Sequence, residues 1–454
     1  MSKVWLAACL CALEMQPSHA GSATPNTRIN ENGTTVVADA TTDFLSDDGW
    51  RQLPRTERQR YFQRSLLAKL EPTGQPALEK LSLYVERYKD AVVFDGRLVV
   101  FSVRAVVNDF RHRKISLEGE VSVTQYKSGL ASALEALGFD LVRNDIVVLP
   151  CASSGNKSFG VATTVTAAMR REPRERAEQV NSIALGWPVR VLRSARPDDL
   201  TTGATRGTFR APRSFSNSVN AEPRESAKSD FDVSQWLLVQ SAEGYIGFVR
   251  REGIKFMSEY RLPDAMLLVP TTATLANGSV LLLPTATGLR KAPDGRWSID
   301  LASEQLQLQL PMNHVSSTRA TFTSSRILEL AQPLLGTKYV WGGVTNFGID
   351  CSGFTQFIYR CKGLHLPRDA EEQAIVGMIV GFGPQVVPNL RAGDLVFFVN
   401  ERGKVSHVAI SLDGEKIIHS SQRDVHLDSL TSVREDGEAP LAERILYARR
   451  VVGW

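Results

Sequence analysis

Three side chains in the last third of the chain, Cys351, His407 and His419, could act together on a carbonyl. The 454 residues hold five cysteines, and Cys351 lies in "WGGVTNFGIDCSGFT" (341–355), where a glycine-rich run gives way to a helical pattern. Asp350 and Ser352 are helix-start residues, and Phe354, Phe357, Ile358 and Cys361 recur at i, i+3, i+4 and i+7. Cys361 lies on that apolar stripe and reads as a buried, inert thiol. Cys351 sits one step before it and points inward at the first turn. Unpaired backbone N–H groups and the helix dipole favour an anion there, which predicts a lowered thiol pKa. The same N–H groups could hold an oxyanion, at about 3 kcal/mol per donor. The glycines of the run let the backbone pass close to a ligand.

A thiol nucleophile needs a base. "GDLVFFVNERGKVSHVAISLDGEKIIHSS" reads as three antiparallel strands, with His407, Ala409 and Ser411 on one face of the middle strand. A three-residue loop, Leu412-Asp413-Gly414, pairs 411 with 415 and sets His407 directly opposite His419, both facing the helix of Cys351. His407 could then take the thiol proton and His419 could orient its ring. Spacing alone does not separate this from a structural Cys–His pair or a metal site. One Cys and two His without a C-x-x-C spacing make a poor structural zinc site, and no cofactor or metal is expected.

The elements that must position these residues belong to a long chain, whose length suggests two to four domains. Hydrophobic content of 43% and charged content of 22% are those of a globular protein, and a net charge of +4 is too small to argue for nucleic acid. Lys3 followed by "VWLAACLCAL" and a polar stretch ending Ser18-His19-Ala20 reads as a signal peptide cleaved after Ala20. The apolar run is too short to span a bilayer, and no later run approaches the needed length. Leu6-Ala7-Ala8-Cys9 also resembles a lipoprotein box, usable only if the true start lies upstream. Export would leave Cys151, Cys351 and Cys361, an odd number, so one thiol stays unpaired within the chain.

Residues 21–45 form a polar lead-in. Residues 46–157 mix helical and alternating patterns, a small α+β domain with no evident chemistry. Closely spaced strands over 158–262 suggest a small barrel, interrupted by a Ser-, Pro- and Arg-rich insertion (194–230) that reads as disordered. A second strand-rich unit covers 263–320, and the segment 321–454 carries the chemistry.

The pieces "YVWGGVTNFGIDCSGF", "LPRDAEEQ", "AGDLVFF" and "SHVAISLDGEKIIH", in this order, resemble the NlpC family of peptidoglycan cysteine peptidases. The resemblance covers about 130 residues. Upstream, "REPRERAEQV…GWPVRVL…WLLVQ…GYIGFV" is similar, more loosely, to the bacterial Src-homology-three-like barrel that precedes this domain in one subgroup. The resemblance implies a multidomain α+β chain: a papain-like α+β catalytic domain, two small SH3-like β-barrels before it, and the N-terminal α+β domain. It implies Cys351 as nucleophile, His407 as base and His419 as the orienting residue. Tyr339 would line the substrate site, flanked by Asp350 and Ser352.

In that subgroup an Arg-Asp-Ser sequence helps bind a stem peptide with a free N-terminal L-alanine. Arg368 and Asp369 match it, Asp369 receiving the ammonium, and Glu178 and Tyr245 are the candidates for the barrel's share. Ala370 departs from the Ser of the pattern and removes one hydrogen bond to substrate. The implied activity is cleavage of the γ-D-glutamyl–diamino acid bond by an exported monomer that acts on peptidoglycan stem peptides. The alternatives are a muramoyl–L-alanine amidase and a catalytically vestigial wall-binding scaffold.

Overall fold

The computed structural model describes residues 54–150, 158–202, 232–316, 323–433 and 439–451, together with two two-residue strands at Arg28–Ile29 and Thr35–Val36. The expected signal peptide, Cys9, Cys151 and most of the insertion lie outside these residues. The chain is a multidomain α+β protein divided into two compact units, one of residues 1–94 and 101–148, the other of 95–100 and 149–454.

In the first unit, helices α1 (Arg55–Leu70), α2 (Leu81–Val92) and α3 (Thr124–Ala136) accompany a three-stranded sheet. Strands β1 (Phe101–Asp109) and β2 (Lys114–Val121) pair antiparallel, and β3 (Asp140–Val148) joins β2 in parallel through the crossover helix α3. Parallel neighbours need such a crossover, which is why a helical run separates these two strands. Tyr84, Ile115, Leu117 and Leu130 are buried in this unit.

The second unit opens with a seven-stranded antiparallel sheet: β4 (Phe159–Ala162), β5 (Thr166–Arg170), β6 (Gln179–Ala184), β7 (Pro188–Ser194), β8 (Trp236–Gln240), β9 (Ile246–Arg250) and β10 (Ile254–Met257). Its spatial order is β10-β4-β7-β8-β9-β5-β6. The insertion expected from Ser194 begins inside the fold. Residues 199–202 form a helical turn, and the Asp199 carboxylate is buried against Arg193 at 2.8 Å. A short strand, β11 (Ala265–Met266), follows. The hairpin of β12 (Thr271–Thr274) and β13 (Val280–Leu283) comes next, then β14 (Gly288–Lys291), β15 (Trp297–Asp300) and β16 (Gln305–Leu308).

The last segment contains α4 (Ser324–Ala331), a tight hairpin of β17 (Val344–Thr345) and β18 (Gly348–Ile349), α5 (Cys351–Arg360) and α6 (Ala370–Gln373). A six-stranded antiparallel sheet follows: β19 (Met378–Phe382), β20 (Leu395–Val399), β21 (Val405–Asp413), β22 (Lys416–Ser420), β23 (Val425–Ser429) and β24 (Ile445–Arg450), in the order β19-β24-β20-β21-β22-β23. The stripe read from the sequence understates α5, which is buried on every side from Cys351 to Tyr359. Its polar residues are therefore all bonded. Thr355 Oγ1 donates to Gln373 Oε1 at 2.6 Å, and Gln356 Nε2 donates to the Leu366 carbonyl at 2.9 Å. The core around Phe354, Phe357 and Ile358 is continuous with Met169 and Val239 of the seven-stranded sheet and with Trp187 and Tyr245 of its turns.

Candidate active site

The Asp350 side chain caps α5 by accepting the Gly353 N–H at 2.7 Å, so the helix begins at Cys351. Asp350 also accepts the Gly342 N–H at 2.7 Å, which folds the glycine run back onto the helix start. Close packing of the chain on itself requires glycine at two of these positions. A Cβ on Gly343 would lie 2.3 Å from the Gly348 carbonyl oxygen, and one on Gly353 would lie 2.3 Å from that of Gly343.

Arg368 is 1% exposed, and its guanidinium grips Asp350 with both terminal nitrogens, at 3.0 and 2.6 Å. It also donates to Ser352 Oγ at 2.8 Å and, through Nε, to Asn181 Oδ1 at 2.6 Å. Arg368, expected to bind substrate, is in this structure a buried brace bonded to the start of α5. Asp350 and Ser352 are buried beside it and flank Cys351 at the helix start. The brace continues, with Asn181 Nδ2 donating to Glu243 Oε1 at 2.6 Å and Glu243 pairing with Arg360 at 3.3 Å, at the far end of α5.

The backbone N–H groups of Ser352 and Val408 favour a charged Cys351 sulfur, and the Tyr339 hydroxyl feels the same sulfur electrostatically. Burial, reinforced by the Asp350 carboxylate, nevertheless pushes the thiol up to about 12. The helix terminus was expected to lower it, but desolvation wins. Cys361 is also a free, buried thiol, pushed up by burial.

The structure brings His407 and His419 together, with His407 Nε2 2.9 Å from His419 Nδ1. Their register differs from the expected one. Asp413 pairs with Lys416 and a bulge follows, so Ser411 faces Ile417 and His419 is offset by two from His407. An offset of two keeps both on one face, where diagonal neighbours remain within reach. That face is not the one under the body of α5. Val408, Ile410 and Leu412 pack with the helix, whereas Ala409 packs with Val396 and Phe398 on the other side. Cys351, the first residue of α5, interacts with the backbone of Val408, the residue after His407. Burial, with Arg444 and His426 nearby, holds His407 down to about 4.

The histidine chain is longer than the sequence reading proposed. His419 Nε2 lies 3.2 Å from His426 Nε2, and His426 Nδ1 lies 2.9 Å from Asp424 Oδ1. Asp428 Oδ2 approaches both, at 3.6 Å from His419 and 4.0 Å from His426. The signal was present: Asp424, His426 and Asp428 alternate along β23 and so share a face.

Asp369 is not an open carboxylate, because Arg97 Nη1 donates to its Oδ2 at 2.6 Å while Arg97 Nε also holds Asp95 at 2.9 Å. Arg97 lies in the segment 95–100 that packs with the second unit, and its carbonyl accepts the Ile246 N–H at 2.8 Å. Glu372 is buried beside this cluster and is pushed up to about 8 by burial and by the Asp369 carboxylate. Tyr245 is buried there as well, its hydroxyl raised by burial and by Asp369. Glu178 stands apart from these contacts, paired with Arg171 at 2.8 Å.

A cysteine on a helix start, a two-histidine contact and a tyrosine hydroxyl all lie in the C-terminal segment, and residues 336–437 match the NlpC/P60 family model. The chain carries an NlpC/P60 domain at its C-terminus. Over 111 residues it is 38% identical to the gamma-D-glutamyl-L-lysine dipeptidyl-peptidase of Bacillus subtilis, covering 24% of this chain and 36% of that protein. The Bacillus cereus protein of the same name is 36% identical over 110 residues, covering 23% and 32%. The chain thus spans about a third of the length of these curated relatives. The murein DD-endopeptidase MepS/murein LD-carboxypeptidase of Escherichia coli is 36% identical over 124 residues, covering 27% of this chain and 62% of its own length. A solved NlpC/P60 family protein from Bacillus cereus aligns with a TM-score of 0.48 at 18% identity, covering 65% of this chain and 100% of its own. No helix among the described residues is long and apolar enough to cross a membrane.

Proposed function

We propose that the NlpC/P60 domain is a cysteine peptidase that cleaves the γ-D-glutamyl–diamino acid bond of peptidoglycan stem peptides, in the cell envelope of an exported protein. The observation that carries this reading is the 2.9 Å contact between His407 Nε2 and His419 Nδ1, in a domain whose Cys351 opens a helix and interacts with the backbone of Val408, the residue after His407. The choice of bond rests on the printed name of two relatives, gamma-D-glutamyl-L-lysine dipeptidyl-peptidase.

Because His419 occupies Nε2 of His407, Nδ1 is the nitrogen left to take the thiol proton. Cys351 sulfur then bonds to the γ-carbonyl carbon, and the carbonyl π pair moves to oxygen. The Tyr339 hydroxyl and the N–H groups at the start of α5 stabilise that oxyanion. His407 returns the proton to the leaving amine, the C–N bond breaks, and a thioester remains. Water, deprotonated by His407, attacks the thioester and regenerates the thiol. His419 orients the imidazole throughout. The strand-rich units at 158–262 and 263–320, read as SH3-like barrels, support the helix start through Asn181 and the β17–β18 hairpin through Thr285, whose N–H bonds Asn346 at 2.9 Å.

Mass-spectrometric product analysis with L-Ala-γ-D-Glu-diaminopimelate and with intact wall tests this. Wild type is expected to release L-Ala-D-Glu and the free diamino acid, and Cys351→Ala to release neither. Release of whole stem peptides from glycan would instead identify an amidase.

A further inference from the structure

We propose that His419, His426 and Asp428 form a binding site for a zinc-class divalent transition-metal ion, and that its occupancy switches the peptidase off. The ligand atoms His419 Nε2, His426 Nε2 and Asp428 Oδ2 lie within 4.8 Å of one another. Their separations are 3.2 Å between the two nitrogens, 3.6 Å from His419 to the carboxylate and 4.0 Å from His426 to it. A tetrahedral zinc ion with bonds of about 2.0–2.1 Å needs ligand–ligand edges of about 3.3 Å. The closest edge already matches, and the other two close by about 0.3 and 0.7 Å through movement of the partly exposed Asp428 side chain.

The backbone explains why the three atoms converge. His419 and His426 are a direct cross-strand pair of β22 and β23, and Asp428 follows two residues along β23 on the same face. His426 and Asp428 keep 26% and 34% of their side-chain surface exposed, which gives an ion its path and a solvent position for a fourth ligand. Each histidine has its other nitrogen secured. His426 Nδ1 is held by Asp424 Oδ1 at 2.9 Å and His419 Nδ1 by His407 Nε2 at 2.9 Å. A carboxylate or imidazole behind each ligating ring is how metal-binding histidines are oriented. Two imidazoles and one carboxylate suit zinc, copper or nickel and not magnesium or calcium.

The switch follows from counting protons, and it rests on His407 being the base proposed above. Without metal, His426 gives its Nδ1 proton to Asp424, so its Nε2 accepts. His419 then carries its proton on Nε2, its Nδ1 accepts from His407 Nε2, and His407 Nδ1 is left as a lone pair for the thiol. A metal ion takes the Nε2 lone pairs of both His419 and His426. The proton of His419 must move to Nδ1, His407 Nε2 must accept it, and the proton of His407 must move to Nδ1. Each ring keeps one proton, but the lone pair has been turned away from Cys351.

Calorimetric titration of Zn²⁺ into the full chain tests the site without using activity. The Cys351→Ala protein is expected to bind one ion as tightly as wild type, while Asp428→Asn and His426→Gln each weaken binding at least tenfold. Cobalt substitution should give a tetrahedral visible spectrum without a thiolate charge-transfer band. Binding lost in Cys351→Ala, or unchanged in Asp428→Asn, would overturn the site. Should His426→Gln fail to fold, Asp428→Asn decides alone. Hydrolysis by wild type should fall at least tenfold at saturating zinc and recover with chelator. Asp428→Asn should need at least tenfold more zinc for the same fractional loss relative to its own metal-free rate. One bound ion with undiminished hydrolysis would overturn the switch and leave the site standing.

Discussion

Arg97 Nη1 donates to Asp369 Oδ2 at 2.6 Å across 272 residues of sequence. The carboxylate expected to select a free amine therefore already holds a cation.

Removing that cation should expose the selectivity. In Arg97→Ala, the ratio of kcat/KM for L-Ala-γ-D-Glu-diaminopimelate over its N-acetylated form is expected to rise about tenfold, close to 1.4 kcal/mol. Steady-state kinetics on the two peptides measure it. A ratio that stays at the wild-type value would mean that Asp369 does not face the substrate's amine.

Arg368 and Asp350 are both buried, so truncating one strands the other. Arg368→Ala is expected to lose about 3–5 kcal/mol in denaturant unfolding. Arg368→Lys should recover little of this, because one ammonium cannot serve Asp350, Ser352 and Asn181 as the planar guanidinium does. A loss below about 1 kcal/mol, the scale of an exposed pair, would show that the brace carries little.

With the thiol pushed up to about 12 and His407 held down to about 4, the pair rests neutral. The acid limb of kcat/KM is expected at about pH 4, with no fall between pH 8 and 9. Iodoacetamide should alkylate Cys351 slowly at pH 7 and faster as pH rises; a plateau at neutral pH would indicate a thiolate–imidazolium pair instead. Stability should decline as pH falls from about 6.5 towards 4, because the unfolded chain takes a proton that the buried imidazole refuses. His407→Phe should reduce that slope and leave the part due to His365, which burial also holds down to about 4.

The Tyr339 hydroxyl is coupled electrostatically to the Cys351 sulfur and would donate to the oxyanion. Tyr339→Phe is expected to lower kcat about 100-fold with KM nearly unchanged, the signature of a contact made in the transition state. A change confined to KM would assign the hydroxyl to ground-state binding.

What could be read from the sequence was local. The start of α5 was legible because Asp350, Ser352 and the apolar recurrence lie within eleven residues of one another. That the two histidines share a face followed from the choice of an odd-length loop, and the observed bulge keeps that parity while shifting the register by two. The shift itself was not legible, because it depends on a bulge next to Leu412. Arg368 was visible as a motif residue, but its partners Asn181 and Asp350 come from elements that only the fold unites. Arg97 carries no local signal at all. His426 and Asp424 did, in the alternation of "DVHLD".

The ladder from Asp350 through Arg368, Asn181 and Glu243 to Arg360 has a consequence for how this protein could have evolved. The scaffold of the nucleophile is split between two stretches of chain, so a recombination joint between residues 262 and 321 would separate charges that are compensated only together. The catalytic segment and the seven-stranded sheet should be inherited as a single unit. Substitutions at Asn181 or Glu243 should be tolerated only alongside matching changes at Arg368 or Arg360.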